Sequence, residues 1–201
     1  RLFEQGVKAG ERALGPKVFE EDVGHFWGIL ETRPYMRARL GLAQCLLMMG
    51  ERQEAIEHLT DMLRLNPNDN QGIRYLLATL LLEAGDDEAL ESLLEQYAED
   101  ATATWRYTRA LLLFRKEGTS EAATAQLREA ISFNPFVPAY LLDKKRLPKR
   151  LPPYMGFGDE NEAIHYAVNA KDVWRQNEGA LGWLRKTLAD MGYGTGAKLK
   201  K

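Results

Sequence analysis

Two segments with the same pattern, 54–67 (EAIEHLTDMLRLNP) and 122–135 (AATAQLREAISFNP), decide how this chain is organised. Each places a leucine four residues and a proline twelve residues after an alanine, and a third segment repeats the alanine and leucine at the same offset. The recurring positions lie 34 residues apart, and they are Ala55, Ala89 and Ala123 together with Leu59, Leu93 and Leu127. A fixed period of this length indicates a repeated structural unit.

Each unit has the features of two helices joined by a turn. Apolar residues follow the helical period, and Gly50 and Asn66-Pro67 end the two helices of the first unit, because proline cannot continue a helix and restricts the residue before it. The recurring alanines fit a close crossing of the paired helices, since a larger side chain would push them apart. We therefore predict three helical pairs and the start of a fourth within 34–143.

This 34-residue pattern resembles the tetratricopeptide repeat over roughly residues 36–137. The resemblance implies an all-α fold, in which helical pairs stack into a right-handed superhelix of the α–α solenoid type. One class of these repeats grips a C-terminal carboxylate with lysine and asparagine at set positions of the first helix. Here Leu40, Gln44 and Tyr75 occupy those positions, so a clamp of that kind is not expected.

The segments on either side of the repeats have a different composition. The N-terminal part predicts a helical pair over 2–14 and 18–31. The segment 144–158, which we call the basic arm, combines five basic residues with three prolines and predicts an extended conformation. Asp159 is suited to begin a helix, and a second helix is expected to end at Gly192.

These two last helices carry a second resemblance, to the C-terminal part of the suppressor-of-tumorigenicity-seven family. It rests on Leu151-Pro152-Pro153, Glu162-Ala163-Ile164, Tyr166-Ala167, Trp174 and Glu178-Gly179-Ala180-Leu181. The resemblance implies a repeat array that ends in a capping helical pair, with a poorly defined biochemical role. Animal members carry membrane segments, for which the apolar stretches of this chain are too short. We predict that the aromatic residues of these helices pack in a core and do not line a ligand-binding pocket.

These features divide the chain into five predicted segments. They are an N-terminal helical pair (1–33), three tetratricopeptide-type repeats with the start of a fourth (34–143), the basic arm (144–158), the capping helices (159–192) and a flexible tail (193–201). The chain begins at Arg1 inside a segment that already predicts helix, which indicates a trimmed or partly ordered chain, and a missing upstream segment would change the predicted localisation.

Composition excludes several classes of function. With 27 basic and 29 acidic residues the net charge is −2, so no global field attracts nucleic acid or an anionic membrane, and the basic arm is interpreted as a solvated connection. Cys45 is the only cysteine, which excludes an internal disulfide or a thiolate metal site and favours a cytoplasmic protein. The three histidines lie far apart, at His25, His58 and His165. We expect no metal and no cofactor.

Catalysis is not expected either. The sequence shows no convincing nucleophile with a base and no paired carboxylates in a cleft. Its glycine-rich stretch 192–196 follows a helix instead of a strand, and it therefore lacks the context of a nucleotide-binding loop. The sequence predicts a non-enzymatic protein.

The first helix of a tetratricopeptide-type pair faces the concave side of the superhelix, where a partner would bind. The residues predicted to line this groove are Arg37, Gln44, Gln71, Arg74, Tyr75, Trp105 and Arg109. Arginine beside an aromatic ring suits an acidic peptide or a free carboxylate, so the leading hypothesis is a scaffold that binds a peptide or helix of another protein. Alternatives are solvated arginines without a partner, a self-associating (homodimeric) subunit, and the interaction domain of a larger membrane-linked or enzymatic protein.

Overall fold

The structure, a computed structural model, describes residues 1–193, and over this range it is all-helical, with ten helices and no strand. The chain forms two compact units, residues 1–81 and the residues from 82 onward. Apart from Tyr193, the predicted flexible tail lies outside the described residues.

Most consecutive helices are joined by short connections, and longer segments precede the second helix (22–32) and the ninth (142–159). The first unit contains α1 (Leu2–Glu21), α2 (Arg33–Met49), α3 (Arg52–Leu65) and most of α4 (Ile73–Ala84). The second unit contains the end of α4 and then α5 (Asp87–Gln96), α6 (Ala103–Glu117), α7 (Glu121–Phe133), α8 (Val137–Leu141), α9 (Glu160–Gln176) and α10 (Ala180–Asp190). The helix ends predicted at Gly50, Asn66 and Asp159 are confirmed.

The N-terminal region departs from the predicted helix over 18–31. Helix α1 bends at Gly15 (φ 74°) and continues only to Glu21, and turns follow up to α2. Backbone N–H groups of Gly24 and Phe26 donate to the carbonyl oxygen of Leu65 at 3.0 and 3.2 Å. The prediction is wrong beyond Glu21, because these bonds to the end of α3 hold the segment in turns.

Aromatic rings and small residues form the core of the first unit. The ring of Phe19 lies 5.2 Å from that of Phe26 and 5.0 Å from that of Tyr35. Helices α1 and α2 pack so closely that a Cβ at Gly41 would lie 2.3 Å from the ring of Phe3. Ala55 is fully buried, which agrees with the predicted close crossing of helices.

The last two helices pack on the preceding pair in the second unit. Helix α9 contacts α6, α10 contacts α7, and α9 and α10 contact each other. The stacked rings of Trp174 and Trp183 are 6.2 Å apart, and Phe114 stacks on Trp183 at 4.8 Å. Trp174 is fully buried. The prediction that these aromatic residues form a core is confirmed.

A buried carboxylate links α9 to the rest of the second unit. Glu162 is 3% exposed, and its oxygens accept hydrogen bonds from the backbone N–H of Ala103 (2.9 Å), the side-chain amide of Asn134 (2.9 Å) and the backbone N–H of Gly158 (2.8 Å). Ala103 is the first residue of α6, whose N–H has no partner within its own helix. Glu162 therefore supplies a cap from 59 residues further along the chain.

Candidate functional site

The predicted groove residues divide between the two units. Five of them belong to the first unit, whereas Trp105 and Arg109 belong to the second. Within the first unit the structure places Arg74 against Tyr75, and within the second it brings Trp105 and Arg109 to one cleft.

Three of the first-unit residues lie at or near the surface. Arg37 is exposed, and its guanidinium lies 5.6 Å from the ring centre of Trp27. Gln44 is exposed, and Gln71 is half-buried. The side-chain oxygen of Gln71 is buried and accepts no hydrogen bond within the described residues. These side chains offer hydrogen-bond donors and acceptors at the surface.

Arg74 belongs to the internal structure of the first unit. Its guanidinium donates to the buried carboxylate of Asp69 at 2.9 Å and to the hydroxyl of Tyr75 at 2.7 Å. Asp69 also accepts from the backbone N–H groups of Ile73 (2.6 Å) and Arg74 (3.0 Å), so it caps the start of α4. Substitution of Arg74 would disturb this cap, which makes the residue unsuitable for a test of binding.

The second unit contains a cleft of about 290 Å³, which we call the α5–α7 cleft. It is lined by the residues 98–101 and by Trp105, Arg106, Arg109, Gln126 and Glu129. Trp105 is 1% exposed and packs edge-on against Tyr97, with ring centres 6.2 Å apart. The side chain of Trp105 thus forms a fixed wall of the cleft.

Two half-buried arginines face this cleft with part of their hydrogen-bonding capacity in use. Arg109 donates to the carbonyl oxygen of Leu94 at 3.1 Å, and Arg106 donates to that of Ala101 at 3.1 Å. Neither guanidinium forms an ion pair among residues 1–193. By contrast, three half-buried arginines elsewhere in the chain form ion pairs with aspartates: Arg39 with Asp61, Arg74 with Asp69 and Arg115 with Asp87.

Sequence reasoning found Arg109 but missed Arg106. Arg106 lies one residue after Trp105 and three before Arg109, a spacing that places two cations on one side of a helix. Arg106 also lies over the ring of Phe133, with its guanidinium carbon 4.8 Å from the ring centre. The pattern of two arginines three residues apart was visible, but the ring beneath Arg106 comes from α7 and is set by packing.

The cleft also carries negative charge. Its lining includes the carboxylates of Glu99, Asp100 and Glu129. A guanidinium can bind a carboxylate through two parallel hydrogen bonds, whereas a carboxylate suits the N–H groups or basic side chains of a peptide. The arrangement therefore suits a zwitterionic stretch of polypeptide better than a simple anion.

Two buried tyrosines in the core of the second unit have raised pKa values. Burial raises the pKa of the Tyr107 hydroxyl well above its usual value, and this hydroxyl donates to the carbonyl oxygen of Asn134 at 2.8 Å. Burial also raises the pKa of Tyr166, which accepts a hydrogen bond from the indole of Trp174. Both tyrosines stay neutral and serve packing.

Residues 1–193 thus form an all-helical protein with a mixed-charge cleft on its second unit. Residues 43–198 match the family model described as "Transcriptional repressor TCF25", and the chain belongs to this family. It is also similar to the suppressor of tumorigenicity 7 proteins of Macaca fascicularis, Rattus norvegicus and Mus musculus, each 30% identical over 213 residues. These matches cover 93% of this chain. No solved structure matches it.

The relatives extend the resemblance beyond the last two helices. The chain spans 39% of the Macaca protein and 36% of the two rodent proteins. Similarity over 93% of this chain confirms the resemblance inferred from the C-terminal segment. Neither the family description nor the relatives' name denotes an enzyme.

Neither a metal site nor a membrane-spanning helix is visible in residues 1–193. These residues contain no group of three or more His, Cys, Asp or Glu side chains that could hold a metal ion. Within residues 1–193, no helix has the length and apolar character that crossing a membrane requires.

Proposed function

We propose that this protein is a regulatory interaction protein that binds a peptide segment of a partner protein in the α5–α7 cleft. The family description as a transcriptional repressor supports a regulatory role exercised through other proteins. In this proposal, α2 to α7 stack as tetratricopeptide-type pairs in a right-handed superhelix, α9 and α10 cap its end, and the partner is a protein with an acidic side chain or a free carboxylate.

The proposal rests on the partial burial of Arg106 and Arg109 without a carboxylate partner. Both are half-buried beside the buried Trp105, and neither has a carboxylate partner in the described part of the chain. A charged group that has lost part of its hydration gains stability when a ligand supplies the missing acceptor. An acidic residue of a peptide meets that need, and Trp105 provides an apolar wall for the adjoining side chain.

The predicted groove residues of the first unit form a separate set of candidate contacts. We propose Arg37, Gln44, Gln71 and Tyr75 as this set, because they present polar groups on α2, just before α4 and in the first turn of α4. Arg74 remains with Asp69 in the cap of α4.

The proposed site of action includes the nucleus. Cys45 is a free thiol, and a free thiol fits the reducing cytosol and nucleus equally well. A transcriptional repressor, as the family description has it, acts on genes. The cytoplasmic prediction is therefore widened to both compartments.

The test is a peptide-library selection with this chain and with an Arg106→Gln, Arg109→Gln variant. Peptides that carry Asp or Glu, alone or beside Lys or Arg, are offered with free and with amidated C-termini, and the affinities of the selected peptides are measured by calorimetry. Because hydrogen bonds to a charged group contribute about 1.5–3 kcal/mol, we expect the double variant to bind about 10-fold or more weakly. Arg128→Gln is the matched control, since Arg128 is an exposed arginine of α7 that does not line the cleft.

The selected sequences decide the outcome. Acidic peptides that bind the unchanged chain and the control, but not a folded double variant, support the cleft. Preference for the free C-terminus identifies the terminal carboxylate as the bound group, and equal binding of the amidated form identifies a side-chain carboxylate. Equal affinity of the unchanged chain and the double variant would refute the proposal.

A further inference from the structure

The basic arm presents a local positive charge that the protein itself leaves largely uncompensated. Residues 144–158 contain five basic and no acidic residues. Lys145 forms an ion pair with Glu160 at 2.6 Å. The other four cations form no ion pair within the described ranges, and all are exposed: Lys144, Arg146, Lys149 and Arg150.

The same arm exposes large apolar side chains, two of them aromatic. Tyr154 is 83% exposed and Phe157 is 80% exposed, and Met155 and Leu151 are 56% and 48% exposed. Among residues 82–193, the other exposed large apolar residues are Val168 and Tyr193, at 43% and 37%. Four exposed large apolar side chains within seven consecutive residues of a folded protein indicate an interaction surface.

Hydrogen bonds to α9 and its N-cap hold the backbone of the arm while these side chains point to solvent. They join the carbonyl oxygen of Pro152 to the His165 ring (3.0 Å), the carbonyl oxygen of Tyr154 to the Asn161 amide (2.9 Å), and the Gly156 N–H to the Asp159 carboxylate (2.7 Å). Prolines at 148, 152 and 153 restrict the chain further. The arm is thus ordered before any partner binds, which lowers the entropic cost of binding.

We infer that the basic arm binds single-stranded RNA, with its four unpaired cations on the phosphates and Tyr154 and Phe157 stacked on bases. Surfaces that bind single strands combine these two elements, cations that follow the backbone and aromatic faces that accept any base. The two rings can stack only on the bases of a single strand, because the bases of a duplex are already stacked on each other. RNA is the single-stranded nucleic acid that cells hold in quantity. This inference is independent of the proposed peptide cleft.

Local charge outweighs net charge in this case. The net charge of −2 would argue against nucleic-acid binding only if charges throughout the molecule acted on the bound strand. At physiological ionic strength charges are screened over about 8 Å, so a strand on the arm responds mainly to the arm's own cations. The exposed rings, which sequence alone does not reveal, add the stacking contribution that a solvated connection would lack.

Two other polyanionic partners fit the arm less well. An anionic membrane favours an amphipathic helix with a continuous apolar face, and the arm has no helix. An acidic protein helix needs an apolar groove for its hydrophobic side, whereas the exposed side chains of the arm lie along one extended segment. Single-stranded RNA requires neither a helix nor a groove.

The experiment measures fluorescence anisotropy of a labelled 12-nucleotide RNA of mixed sequence without secondary structure, titrated with the full chain. With four phosphate contacts, raising the salt from about 50 to about 200 mM should weaken binding by about 50-fold. Lys149→Gln, Arg150→Gln should reduce the slope of log K against log salt by about 1.4. Tyr154→Ser, Phe157→Ser should leave the slope unchanged and weaken binding by about 5-fold or more for each ring.

Matched controls change the same kinds of residue elsewhere. Arg12→Gln, Arg128→Gln neutralises two exposed cations, and Met48→Ser, Met49→Ser removes two exposed apolar side chains. Both variants should bind RNA with the affinity of the unchanged chain. Thermal unfolding of each variant serves to check that it is folded.

Three results would overturn the inference. The first is equal affinity for the single strand and for duplex RNA of the same length, which leaves no role for stacking. The second is unchanged affinity of the folded Tyr154→Ser, Phe157→Ser variant. The third is binding to phosphatidylserine vesicles without binding to the RNA, which would assign the arm to a membrane surface.

Discussion

The carboxylate of Glu162 offers the most direct test of how the second unit is held together. It is buried and accepts three hydrogen bonds, from the start of α6, from Asn134 and from Gly158. Glu162→Ala removes the acceptor for all three donors at once. Because an unpaired buried donor is costly, the loss should be far larger than for an exposed glutamate.

The magnitude follows from the surroundings of each donor. Ala103 is fully buried, so its N–H loses its partner without access to water, at about 1–3 kcal/mol. Gly158 is half-buried, and Asn134 still donates to the carbonyl oxygen of Asp159, so each adds about 1 kcal/mol. We expect a total loss of about 3–5 kcal/mol in the free energy of unfolding, which is a large part of the stability of a typical domain.

The assay is equilibrium unfolding in urea followed by tryptophan fluorescence in a Trp27→Phe background. The remaining tryptophans, Trp105, Trp174 and Trp183, all belong to the second unit, so the fluorescence reports on that unit alone. Glu178→Ala, at an exposed position, is the control and should change the free energy of unfolding by less than about 0.5 kcal/mol. A loss below about 1 kcal/mol for Glu162→Ala would refute the buried-acceptor reasoning.

Three further predictions concern other parts of the chain. Asp69→Ala should lower the free energy of unfolding, measured in urea, by about 3–5 kcal/mol, because it leaves the guanidinium of Arg74 without its buried partner. Asp69→Asn should lower it less, because asparagine tolerates the positive φ of 47° at this position. Hydrogen bonds from Lys145 and Tyr140 lower the pKa of Glu160 in the folded protein. These two hydrogen bonds therefore stabilise the fold fully above the ordinary glutamate pKa of about 4.3, and their stabilisation is lost as the pH falls through the lower pKa of the folded state. The stability difference between the unchanged chain and Glu160→Gln, measured by urea unfolding from pH 6 to pH 3, should therefore shrink towards low pH, and a constant difference would contradict it. Within residues 1–193, trypsin should cut first at Arg146, Lys149 or Arg150, which mass spectrometry of early fragments would show, because these residues are exposed, lie outside helices and precede the part of the arm that hydrogen bonds hold against α9.

Most helices of this protein could be predicted because their ends are encoded locally. Gly50 adopts a φ of 87° at the end of α2, a conformation that glycine reaches without strain. The side chains of Ser120 and Asp159 accept hydrogen bonds from backbone N–H groups at the start of α7 and α9. Such caps depend on a few neighbouring residues, so the sequence alone indicates where each helix begins or ends.

The candidate site was only partly predictable, because the state of an arginine depends on residues distant in the sequence. Arg115 looks much like Arg109 on the same helix, yet Arg115 is bound by Asp87, 28 residues earlier, and by Asn177, 62 residues later. Arg109 meets only a backbone carbonyl among its hydrogen-bond partners in residues 1–193. Periodicity could place both on α6, but it could not say which one keeps its charge available.

Helical period, turn residues and caps in the sequence therefore specified an all-helical chain with a 34-residue repeat. Packing alone decided that Glu162 caps α6 and that turns replace a helix before α2. It also decided that the rings of the basic arm remain exposed. The physical reason is range: a helix end is determined by hydrogen bonds over three or four residues, whereas burial and ion pairing depend on which distant segments the folded chain brings into contact.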